Sequence, residues 1–408
     1  MLPLFLLACA GRTDTSEHGT LVAIAPAVTP APMPQVQPEL PKQSTDPSVG
    51  AASNAFAEDL YAQLPASGNL VFSPASIQTA MAMAMSGAAG DTRSALEKSL
   101  HLDFENSDQE MGAWLKALNA PADTHTLRVS NRIWPAQDLG LESEYLTLSA
   151  ELYGVQPEQL NYNEPEAARN TINGWVSEQT EERIPELIPP SAITPATRLV
   201  LTNAVYFLAD WKRQFDTKNT ADRMFNIHAN QGVMVPFMNA QGLQAVGTIP
   251  GAQTLVMPYA GGKQEMVLLL PNADKSVADF GPASLVDAAA SVTSQMTKLA
   301  LPIVEMNWNQ SLARPLAALG MGPAFSDDAD FSKISNEDLL ISQVIHQAFL
   351  KMDEKGTEAA AATAIMMRAT SMPPPPQVTL IVDRPYLFAI RDIESGALLF
   401  VGRVEDPR

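Results

Sequence analysis

Glu354-Lys355-Gly356-Thr357-Glu358, continuing into Ala359-Ala360-Ala361-Ala362-Thr363-Ala364, is the stretch on which fold and function turn. By local propensity Thr357 can cap a short alanine-rich helix. Read with a period of two, the same residues put Thr357, Ala359, Ala361, Thr363, Ile365 and Met367 on one face. Glu358, Ala360, Ala362, Ala364, Met366 and Arg368 fall on the other, which carries both formal charges. The segment therefore suits an exposed loop in one state and a buried sheet strand in another. Four prolines, Pro373 to Pro376, follow it and stiffen its exit.

Outward from that stretch, the chain is 408 residues long, 46% apolar and 17% charged, enough for a large core in one or two domains. Its net charge of −19 repels nucleic acid and anionic lipid headgroups, so neither is expected as a partner. No run of eighteen apolar residues crosses the body. Cys9 is the sole cysteine, which rules out an intrachain disulfide and Cys-type metal clusters. It ends an apolar run from Met1 through Leu6-Leu7-Ala8 and resembles the lipidated cysteine of a bacterial lipoprotein signal. Cleavage after Ala8-Cys9-Ala10, releasing a soluble protein, is the rival reading. Either predicts an exported protein, in the cell envelope or outside it, that touches a membrane only through a lipid anchor.

The expected organisation is an export segment over 1–9, a Pro-rich extended tether over 10–50 and one domain over 51–408. Pro26, Pro30, Pro32, Pro34, Pro38, Pro41 and Pro47 punctuate the tether. Phe56, Leu60 and Leu64 at helical spacing predict a first amphipathic helix. Ser73-Pro74 reads as a cap and first helical proline, with Met81, Met83 and Met85 behind it as core filler. Another helix is expected over 166–182. Leu199 to Leu208 reads as a strand buried on both faces, and 255–259 with 266–270 flank a Gly261-Gly262 turn. Residues 386–390 and 397–401 close the chain as a hairpin around Glu394-Ser395-Gly396. Helices early and strands late predict an α+β fold with large mixed sheets.

Catalytic signatures are missing from the sequence. There is no Gly-x-Ser-x-Gly elbow, zinc-binding His-Glu-x-x-His or phosphate-cradling glycine loop, and His18, His101, His125, His228 and His346 lack ligand spacing. The chain is expected not to be an enzyme, and neither cofactor nor metal is called for.

Six segments, in order, carry a family resemblance. They are Asn69-Leu70-Val71-Phe72-Ser73-Pro74-Ala75-Ser76-Ile77; Leu201 to Phe207 with Trp211; Leu319-Gly320-Met321 with Ala324-Phe325-Ser326 and Ala329-Asp330-Phe331-Ser332; Val344 to Phe349 leading into Glu354 to Ala361; Asp383 to Phe388; and Phe400 to Val404. The pattern resembles the serpins, serine protease inhibitors whose loop insertion is a known switch. The resemblance implies the serpin fold, with about eight or nine helices, and a reactive loop at about 354–376. It implies a monomeric suicide substrate that enters its own main sheet once cut, distorting the bound serine protease. Glu354, Gly356, Thr357, Glu358, Ala359, Ala360, Ala361 and Ala362 take the place of the hinge. Ser73, Ser76, Asn203 and His346 match the polar cluster beneath the opening sheet, with Trp211 near its top. The family pairs Glu354 with a basic residue after a Leu-Pro, where this chain has Ile303 after Leu301-Pro302.

Family spacing from Gly356 puts the scissile bond at Thr370-Ser371, which suits a small-pocket elastase-like or subtilisin-like protease. Arg368-Ala369 is the alternative, suiting a trypsin-like one. Insertion of residues 357–370 would add a strand of roughly 45 Å. Its ladder contributes on the order of 10 kcal/mol at about 1 kcal/mol per hydrogen bond. A non-inhibitory serpin acting as a binding or chaperone-like module is the other reading.

Overall fold

The computed structural model describes residues 48–228, 231–357 and 375–408. The N-terminal segment, with Cys9 and nearly all of the tether, lies outside them, as do Glu358 to Ala362 and the candidate bonds at Arg368-Ala369 and Thr370-Ser371.

Ser48 starts helix α1 (Val49–Tyr61) by accepting a hydrogen bond from the Ala51 N–H, and Phe56 and Leu60 on its inner face are fully buried. A short strand β1 (Leu70–Phe72) leads into α2 (Pro74–Ser86), where Ser73 caps the Ser76 N–H and Pro74 takes the first turn. Every residue of α2 is buried, polar Ser76, Gln78, Thr79 and Ser86 included, and Met81, Met83 and Met85 fill the core around it. Then come α3 (Gly90–Ser99), α4 (Ser107–Leu118), β2 (His125–Pro135), α5 (Ser143–Tyr153) and α6 (Pro165–Gln179).

The second half is mostly strands. They are β3 (Leu199–Asp210), β4 (Ala221–His228), β5 (Gln231–Ile249), β6 (Ala252–Pro258) and β7 (Gln264–Pro271), with Gly261 and Gly262 both at positive φ in the turn before β7. After α7 (Pro282–Ala290) follow β8 (Val292–Pro302), β9 (Val304–Ser311), the single turn α8 (Ala313–Leu316), β10 (Gln343–Met352) and β11 (Gly356–Thr357). The chain closes with β12 (Val378–Ile381), β13 (Tyr386–Asp392) and β14 (Leu398–Val404), the last two forming the expected hairpin. The fold is α+β, as the run of segments implied.

Two sheets organise it. One runs β1-β14-β13-β7-β6-β5-β8-β12, with β4 paired to β5; the other runs β2-β3-β11-β10-β9. They share a core in which Phe207 of β3 packs edge-on against Tyr259 and at a tilt against Phe400 of β14. Helix α2 ties them together, since the Ser73 hydroxyl donates to the Leu399 carbonyl of β14. On the outer face, Trp175 of α6 packs edge-on against Trp134 of β2, whose indole N–H donates to Thr202 of β3.

Candidate functional site

The site is the seam between β3 and β10, which run parallel. From Val200 to Val205 they pair with Gln343 to Ala348. Above Val205 and Ala348 they part, and the gap holds β11, antiparallel to both: Gly356 opposite Asp210, Thr357 opposite Ala209 and Met352. The stem of the segment with two readings is thus already a strand. Only glycine fits at its start, because a Cβ on Gly356 would lie 2.0 Å from the Ala209 carbonyl oxygen.

Thr357 turns inward and is 1% exposed. Its hydroxyl is 2.6 Å from the hydroxyl of Tyr259, a buried residue whose phenol burial pushes well above its ordinary pKa, so it stays neutral. Trp211 stacks on the Tyr259 ring, with centroids 4.6 Å apart and planes 12° off parallel. The Trp211 indole N–H donates to the Asp353 carbonyl and its backbone N–H to the Lys355 carbonyl. The turn into β11 is closed by Asp353, whose carboxylate accepts from the Lys355 and Gly356 N–H groups. Glu354 finds its partner in Thr220, whose hydroxyl donates to it across 2.6 Å, and Ile303 instead donates its N–H to the Pro236 carbonyl.

The paired half of the seam sits on the polar cluster. His346 and Asn203 face each other in register across it, both fully buried. Nε2 of His346 accepts from the Ser73 N–H, at 3.2 Å, so Nδ1 carries the hydrogen and donates it to the Asn203 side-chain oxygen. The Asn203 amide donates to Ser76 and to Asn131, and the Asn131 amide donates to the Ser76 carbonyl. Burial pushes His346 down to about 3, so the ring is neutral; a second proton would point at the Ser73 N–H, a donor.

Ser73, Ser76, Asn203, His346, Trp211, Glu354, Gly356 and Thr357 therefore all line one seam. Asn131 and Tyr259 belong to it too and were not singled out in the sequence. Asn131 carried a signal: in β2, His125, Leu127, Val129, Asn131 and Ile133 all face inward, and an asparagine in that series needs buried polar partners. Tyr259 carried none beyond ending an apolar run. Among the described residues no cluster of His, Cys, Asp and Glu is placed to hold a metal.

A two-sheet α+β body with one sheet parted at one end by a two-residue strand defines a narrow class. A family model for serpins, serine protease inhibitors, matches residues 51–407. An uncharacterised serpin-like protein of Thermococcus kodakarensis is 34% identical over 421 residues, 100% of this chain and 97% of that one. The leukocyte elastase inhibitor of Bos taurus is 32% identical over 388 residues, covering 88% of this chain and 99% of that protein. The crystal structure of Serpin48 from the insect Tenebrio molitor matches with a TM-score of 0.80 at 30% identity, over 88% of this chain and 98% of that one. The chain belongs to the serpin family.

Proposed function

We propose that this serpin inhibits a serine protease by trapping it as a suicide substrate. The protease serine attacks the Thr370 carbonyl, with Arg368 the alternative, forming an acyl ester and releasing the amine of Ser371 (or Ala369). The freed stem then extends β11 down the seam before water reaches the ester.

One observation carries this reading. Each further residue of the loop steps one residue back along both β3 and β10. Thr363, six beyond Thr357, then arrives opposite Asn203, six before Ala209, and opposite His346, six before Met352. Asn203 and His346 are themselves a registered pair, so both flanking strands lead the incoming strand to one place. There Thr363 shares the inward face with Thr357, and its hydroxyl meets the polar cluster, while Ala359 and Ala361 face the core without charge. An unpaired charge at those inward positions would cost several kcal/mol and hold the strand out.

The test is to mix the intact protein with elastase-like, subtilisin-like and trypsin-like proteases and weigh the products by mass spectrometry. A covalent adduct that survives boiling in detergent, with the carboxyl product ending at Thr370, is expected. Cleavage by each protease with no adduct would sink the proposal and leave a non-inhibitory binding module. The expectation of export completes the reading, with Cys9 as its lipid anchor; intact mass of the mature N-terminus from a membrane fraction checks it.

A further inference from the structure

A buried histidine stands behind both supports of β11. That strand is two residues long, lies between β3 and β10, and sets the Thr357 hydroxyl against Tyr259. Ala209 of β3 pairs with Thr357 on one side and with His125, the first residue of β2, on the other. Tyr259 opens the turn leading to β7, and that turn lies directly on the start of β2. A Cβ on Gly261, at φ +85°, would fall 2.1 Å from the Thr124 hydroxyl oxygen. The turn is also tied to β3, since the Ala260 N–H donates to the Asp210 carbonyl.

His125 is 8% exposed on the inward face of β2, and its Nδ1 meets the Thr124 hydroxyl at 3.4 Å. The charged groups that reach the ring are Lys263 in the turn, which opposes a proton there, and Asp392 at the end of β13, which favours one. The Asp392 carboxylate already accepts from the Ser395 N–H and hydroxyl. Burial, with Lys263 adding to it, holds the ring below its ordinary pKa. On β3, Asp210 follows Ala209 and points to the opposite face, where Lys355 and Asp353 are the charges that act on it.

We propose that His125 is an acid-operated latch on the loop stem: on taking up a proton it loosens the start of β2 from β3 and from the Gly261 turn, and β11 leaves the seam. Opened, the ring is a solvated histidine that binds its proton near pH 6.5; closed, it binds one only at lower pH. Between those values each pH unit favours the opened form by up to about tenfold. If the function proposed above holds, acidity sets how much of the stem is in place before a protease arrives.

Hydrogen exchange of the intact, uncleaved protein from pH 7.5 to 5, corrected for the intrinsic pH dependence of exchange, is the experiment. Protection at Gly356 and Thr357 is expected to fall about tenfold or more between pH 6.5 and 5, while amides of β14 keep theirs. His125→Leu should hold the protection level across that range, and His125→Gln, which also cannot titrate, serves if the leucine variant fails to fold. Asp210→Asn should leave the fall in place. No fall in the parent protein, an equal fall in the non-titrating variants, an equal fall in β14, or its loss in Asp210→Asn overturns the proposal. No protease enters the measurement, so its failure leaves inhibition by loop insertion standing, and absence of a protease adduct leaves the latch standing.

Discussion

The two halves of one seam behave oppositely. Below Val205 and Ala348, β3 and β10 are zipped together, and their facing side chains, Asn203 and His346, are held by α2 and β2. Above that point the same strands are apart and a two-residue strand fills the gap. The difference lies in who satisfies the backbone. In the lower half the two strands satisfy each other, weakly, as parallel partners; in the upper half each gains an antiparallel partner, the slightly stronger pairing. Replacing one parallel ladder by two antiparallel ones favours the filled seam, and under the function proposed above the lower half is where the cut chain goes.

The largest effect should come from the upper half. Thr357→Arg places a charge at a position 1% exposed against Tyr259, so adduct formation should vanish and every cut molecule should be released as plain substrate on a detergent gel. Persistent adduct would show that the upper half is not where insertion begins. Next, Asn203→Ala strips partners from His346, Ser76 and Asn131, and should lower the stability of the uncleaved protein by about 2–4 kcal/mol in denaturant titration. Adduct formation should survive, which separates the two halves.

Acid sharpens the contrast further. His346 is held to about 3 in the fold against about 6.5 unfolded, so between those values the unfolded chain binds the proton first. The stability from neutral His346 is complete above pH 6.5 and is lost as pH falls, by up to about 1.4 kcal/mol per pH unit. His346→Gln should flatten that slope in thermal melts from pH 7 to 4; an unchanged slope would mean other groups govern acid sensitivity. The smallest change is Tyr259→Phe, which removes one hydroxyl from Thr357 and should cost about 1 kcal/mol, read from the shift in the denaturant midpoint.

Much of this was legible in the sequence wherever one local rule acted alone. Ser73-Pro74 gave both a cap and a first turn, and the near-continuous apolar run from Leu199 to Leu208, broken by Thr202 and Asn203, read as a strand covered on both sides. The spacing of Ser73, Ser76, Asn203 and His346 along the chain says nothing of their meeting, and only family resemblance put them together. Strand β5 went unread for a physical reason. Its 19 residues pass from one partner strand to the next, its buried side shifts parity between Phe237 and Met238, and apolar Met234 and Leu243 face outward, so no single period of two runs through it. Ile303 after Leu301-Pro302 already set this chain apart from the family's Glu354–cation pair, but nothing in the sequence pointed to Thr220, whose hydroxyl donates to Glu354 instead.

The position of β12 has a consequence of its own. Val378 pairs with Thr297, which pairs with Gly242, and Gly242 lines the same pocket as Trp211, so the chain leaves the loop close to the parted end of the seam. A strand filling the seam ends roughly 45 Å away at the far end. The seven residues from 371 to 377 stretch to about 25 Å at most, too short for the return. An unbroken covalent leash therefore caps how far a seam-filling strand could run, and under the function proposed above it is the protease's cut that lifts the cap.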